Sequence, residues 1–61
     1  MLDKKLIEKY NILRMQYLNA VENYKKNPTK ENLLKKDVAT SKFEIICAKV
    51  LEEIITNIKE A

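Results

Sequence analysis

Pro28 is the one residue of this chain that a helix interior does not accommodate, and none of the 61 residues is a glycine that could supply a second break. Proline removes a backbone donor and biases the residue before it, Asn27, away from helical geometry. The chain is therefore divided once, within Lys25-Lys26-Asn27-Pro28-Thr29-Lys30. Thr29 can cap the following helix through its hydroxyl, or Asn27 can do so with Pro28 at the first helical position. In both cases the link is short, and a short link makes the flanking helices antiparallel neighbours.

The apolar spacing on each side supports helices. Before the turn, Leu6, Tyr10, Leu13, Tyr17, Ala20 and Tyr24 return at intervals of four and three. Ile7 and Val21 widen that stripe, while Ile12 and Met15 lie roughly opposite it. After the turn, Leu33, Thr40, Cys47, Leu51, Ile54 and Ile58 share a face flanked by Phe43, Val50 and Ile55. A weaker row runs through Leu34, Val38 and Ile45, and the run Ile45-Ile46-Cys47-Ala48 is apolar nearly all round. A helix of that kind needs neighbours on more than one side.

The expected fold is one all-α domain: a helix over about 2–26, a turn at 27–29 and a helix over about 30–59. Ser41-Lys42-Phe43-Glu44 has the form of a capping box. It offers an alternative three-helix bundle with a break near Ser41. The absence of Gly or Pro there favours the continuous helix.

Size then bears on assembly. A 61-residue chain is near the lower limit for a core that supports itself. Disulfides, metals or self-association commonly make up the difference. One Cys cannot close an internal disulfide, and without His zinc loses its commonest ligand. Self-association remains, and the expectation is a homodimer in which two hairpins form a four-helix bundle. In length and architecture that dimer resembles the plasmid copy-number regulators built as paired hairpins, although no residue motif is shared. The Ser-Gln-Glu-Leu-Asp signature of the short helical sporulation phosphatases has no counterpart in the second helix.

The same composition excludes much chemistry. Without His there is no side chain with an ordinary pKa near neutrality, and without Gly there is no phosphate-cradling loop. No catalysis, cofactor or metal is expected. Glu8, Glu52 and Glu53 lack the His partners of di-metal bundles. Cys47 falls in an apolar stripe and reads as a small buried hydrophobe, with no activating base in the sequence. Charge returns every few residues at the N-terminus, so no leader is expected there. Charged residues also interrupt the stretch from Phe43 to Ile58, which argues against a membrane span. With a lone Cys, these features point to the cytoplasm.

Binding is the expected role. Ile12, Met15, Ile45 and Ile46 remain after the main stripes are assigned, and they are the expected dimer or partner contacts. Tyr10, Tyr17 and Tyr24 read as core-edge residues, not as a base-stacking ladder. Arg14 is expected to pair across the helices with Glu44 or Asp37, to fix the register of a dimer, or to sit on the surface. Residues 1–42 hold ten basic and five acidic side chains, and Lys25, Lys26, Lys30, Lys35 and Lys36 gather around the turn. These five are the candidate contacts of a second reading, sequence-independent binding of RNA or DNA. The scarcity of arginine weighs against it, because Arg reads phosphates and bases better than Lys. The leading expectation is a small regulatory protein of a bacterium, phage or plasmid that engages a protein partner through helix faces.

Overall fold

A computed structural model describes residues 3–60 as two antiparallel helices, α1 (Lys4–Lys26) and α2 (Lys30–Glu60). The first helix begins two residues later than the spacing suggested, and Leu2 lies outside the described residues. At about 1.5 Å per residue, α2 alone accounts for the 47 Å length of the hairpin, whose other dimensions are 15 and 13 Å. The eight-residue difference between α1 and α2 is taken up as overhang, not by folding back.

Both ends of α1 and the start of α2 are satisfied locally. The Asp3 carboxylate accepts from the Lys5 N–H at 3.0 Å and caps α1. Lys25 and Lys26 occupy the last turn of α1, where cations complement the helix dipole. The chain leaves α1 at Asn27 in a non-helical conformation (φ −144°, ψ 86°), away from the helical geometry that the following proline disfavours. The Asn27 N–H still closes a bond to Asn23 C=O at 2.9 Å.

Two donors converge on the Asn27 carbonyl: the Thr29 N–H at 2.8 Å and the Asn32 side-chain amide at 2.8 Å. The first of these spans Pro28 as a three-residue turn, which the fixed φ of proline suits. Thr29 then caps α2, its Oγ1 accepting from the Asn32 N–H at 3.1 Å and its C=O from the Leu33 N–H at 2.9 Å. Of the two capping schemes, Thr29 is adopted, because Asn27 is already committed to ending α1. No described residue takes a positive φ, so a turn without glycine carries no backbone strain.

The α2 helix runs unbroken past Ser41, so the three-helix alternative does not hold. Ser41 is exposed in mid-helix, and its neighbour Thr40 donates its hydroxyl to the Lys36 carbonyl at 2.7 Å within the same helix. Nothing in the backbone competes with helix there, and the apolar seam continues across the position.

That seam differs from expectation in one respect. On α1 it is the stripe read from sequence: Leu6, Tyr10, Leu13, Tyr17, Ala20 and Tyr24 are all half-buried. On α2 the covered positions are Asn32, Lys36, Ala39, Thr40, Phe43, Ile46, Cys47, Val50, Glu53 and Asn57. Of the expected row, Thr40 and Cys47 remain at the edge of the seam while Leu33, Leu51, Ile54 and Ile58 are exposed, so the seam is centred up to one residue earlier, a rotation of less than about 100°. Phe43 is the cause. Its ring lies 5.2 Å from that of Tyr17, stacked, and 5.5 Å from that of Tyr10, tilted. Turning the largest α2 side chain into the seam brings Ile46 in behind it, at 1% exposure. The polar seam residues Asn32, Lys36, Glu53 and Asn57 fall towards the two ends, where water reaches them.

Two outcomes follow for chemical denaturation. Ile46→Ala should lose about 2–5 kcal/mol, as expected for truncating a wholly buried aliphatic side chain. Thr29→Ala should lose about 1 kcal/mol as a lost cap, whereas Ser41→Ala should change stability by no more than about 0.5 kcal/mol.

Candidate functional site

In a right-handed helix the residue after a seam residue sits about 100° round the axis. Because α1 and α2 run in opposite directions, the residues that follow seam positions on both helices fall on one broad side of the hairpin. The residues that precede seam positions fall on the other. The two sides have different chemistry.

The first side is an apolar face. From α1 it takes Ile7, Leu18 and the half-buried Val21; from α2 it takes Leu33, Cys47, Leu51, Ile54 and Ile58. Leu51 is 58% exposed and Ile58 69%, although both belong to the run Leu51, Ile54 and Ile58 on one side of α2. Four charges accompany them: Arg14 and Lys25 on α1, Asp37 and Glu44 on α2. Arg14 and Glu44 lie at nearly the same level, since Phe43 sits between Tyr10 and Tyr17 along the axis. The pairing expected of Arg14 with Glu44 or Asp37 is not formed within the hairpin. Among the described residues the ion pairs are Lys26 with Glu22 and Lys35 with Glu31, each at 3.2 Å.

The opposite side is a lysine face. It carries Lys5, Lys9, Lys35, Lys42 and Lys49 against Asp3, Glu31 and Glu52, with the exposed Leu34 and Val38 among them. Its surface is grooved between the helices: one solvent-open groove is lined by Lys9, Leu13, Lys42, Ile45, Ile46 and Lys49. Another, nearer the turn, is lined by Gln16, Asn19, Ala20, Asn23, Asn32 and Lys35. Lys35, Lys42 and Lys49 recur every seven residues, a repeat visible in the sequence once the seam of α2 is known. Leu18 is likewise a residue that sequence reasoning passed over. It follows Tyr17 as Ile7 follows Leu6, and that parallel was the available signal.

Of the four expected contact residues, the structure brings two together. Ile12 and Ile45 both lie on the lysine face at about the same level. Met15 points away from α2 on the outer side of α1, 62% exposed. Ile46 is corrected: it is the one wholly buried side chain among the described residues, consumed inside the hairpin and not available to a partner.

The lysines around the turn are partly engaged. Lys26 and Lys35 hold their glutamates, and the Lys36 ammonium lies 5.0 Å from the centre of the Tyr24 ring, half-buried. Lys25 and Lys30 form no ion pair among the described residues, while the glutamates beside Lys26 and Lys35 offset two of the five positive charges.

The three tyrosines serve the seam, two of them flanking Phe43 and the third covered by Lys36. Cys47 is a half-buried free thiol. Among the described residues, no three of His, Cys, Asp and Glu gather where a metal ion could be held. No described helix is long and apolar enough to cross a membrane. Compared with protein families, curated proteins and solved structures, the chain has no match.

Both faces depend on Phe43. Phe43→Ala should remove about 3–5 kcal/mol and abolish cooperative unfolding followed by circular dichroism. Phe43→Leu, which keeps an apolar side chain in the seam, should retain a cooperative transition at lower temperature.

Proposed function

We propose that this hairpin works by association and not by catalysis: it self-associates as half of a four-helix bundle and offers a helix face to a protein partner. The observation that carries the reading is the imbalance of its apolar side chains. Among the described residues, one large hydrophobic side chain is buried and twelve are exposed. Scattered exposed hydrophobics are ordinary, but so many on so small a unit, with Leu51, Ile54 and Ile58 grouped on one side of α2, mark a contact surface. The lack of His and of any phosphate-binding loop supports a role without chemistry. Ile12 and Ile45, set among lysines, would favour an acidic protein surface with an apolar centre.

A second reading rests on the row Lys35, Lys42 and Lys49 together with Lys9. These side chains line grooves on one side and could neutralise phosphates of RNA or DNA without reading sequence.

Sedimentation equilibrium across micromolar concentrations tests the first reading. A dimer is expected, with a melting temperature that rises with protein concentration; a monomer throughout would remove it. Retention on heparin against salt tests the second. Elution at low salt, with no shift of labelled RNA or DNA, is the expected result if the lysines are only a solvated surface.

A further inference from the structure

The geometry points to the apolar face as the surface on which a second copy of this chain packs, with a two-fold axis parallel to the helices and both turns at the same end. This rests on the reading that the hairpin self-associates, and it names the face, the orientation and the residues.

Area is the first consideration. A broad side measuring 47 by 15 Å has a footprint of about 700 Å². Two copies laid face to face would bury about 1,400 Å² in total, within the standard range for a stable protein interface. Ile7, Leu51, Ile54 and Ile58 supply apolar anchors towards the end away from the turn, and Leu18 and Leu33 towards the turn. The lysine face has the same outline but carries five lysines against three acids, Asp3, Glu31 and Glu52, a net positive charge. Two copies stacked on it would confront like charges, which opposes association there.

Charge then selects the occupant and its orientation. On the apolar face both bases, Arg14 and Lys25, belong to α1, and both acids, Asp37 and Glu44, belong to α2. The face is neutral and divided lengthwise into a basic and an acidic half, so it complements a copy of itself. Rotation about an axis parallel to the helices lays α1 of one copy on α2 of the other, base over acid. Levels are preserved, so Arg14 of each copy meets Glu44 of its partner, forming twice the pair that neither hairpin forms alone. Every adjacent pair of helices is then antiparallel. Rotation about the axis that crosses the helices instead lays α1 on α1 and Arg14 near Arg14, so like charges oppose it.

Sedimentation equilibrium on three proteins separates the possibilities. Leu51 and Ile45 are exposed to nearly the same degree, 58% and 60%, on opposite faces. The wild type and Ile45→Lys should be dimers and Leu51→Lys a monomer, with helicity by circular dichroism retained in all three. A wild type that is monomeric removes self-association altogether. A wild-type dimer that survives Leu51→Lys, or is lost on Ile45→Lys, overturns this face alone.

Two further measurements do not depend on Leu51→Lys folding. Arg14→Glu should weaken the dimer about tenfold, and adding Glu44→Arg should restore it. No restoration would overturn the orientation. With Cys47→Ser and a spin label at Lys30→Cys, the label-to-label distance should be well under half the 47 Å length. A distance approaching the full length would mean turns at opposite ends, which is the rejected arrangement.

Discussion

The seating of Phe43 between Tyr10 and Tyr17 governs the rest of the hairpin. Two smooth helices in contact can slide or roll past one another with little change in buried area. A ring held on both sides by rings one heptad apart can do neither. The stack fixes the level of α2 along α1 and the rotation of α2 about its own axis. From that rotation follow the burial of Ile46, the exposure of Leu51 and Ile58, and the gathering of Lys35, Lys42 and Lys49 on one side.

The architecture was largely legible in the sequence, and for identifiable reasons. Pro28 is a local signal whose effect does not depend on tertiary context, so the division into two helices could be read directly. The α1 stripe was equally plain because one heptad pattern dominates it. The second helix was harder because it has two candidate stripes. Leu33, Cys47, Leu51, Ile54 and Ile58 form the more apolar row, while the row actually used includes Asn32, Lys36, Glu53 and Asn57. Counting hydrophobic residues favours the first; the size of one ring decides for the second. Pattern reasoning weighs every apolar residue similarly, whereas packing rewards the single side chain that fills the largest gap.

The candidate surfaces were legible only in part for the same reason. A surface is what the seam leaves over, so an error of one residue in the seam moves every surface residue by about 100°. Ile46 passed from the expected contacts to the core, while Ile12 and Ile45 stayed on the surface. The lysines show a different effect. Their clustering near the turn is a fact of sequence, but Glu22, Glu31 and the Tyr24 ring occupy three of them. The neighbouring acids at four-residue spacing were visible in the sequence; the ring beneath Lys36 required the fold.

The turn has a bearing on topology as well as on shape. Hairpins that pair with their own kind have a competing route, in which the link straightens, α1 and α2 merge into one long rod, and two rods exchange halves. That route needs Asn27 in helical geometry immediately before a proline, the conformation that Pro28 opposes. It would also sacrifice the bonds to the Asn27 carbonyl from Thr29 and Asn32. Asn27, Pro28, Thr29 and Asn32 together thus oppose straightening of the link, and the hairpin keeps its seam within one chain.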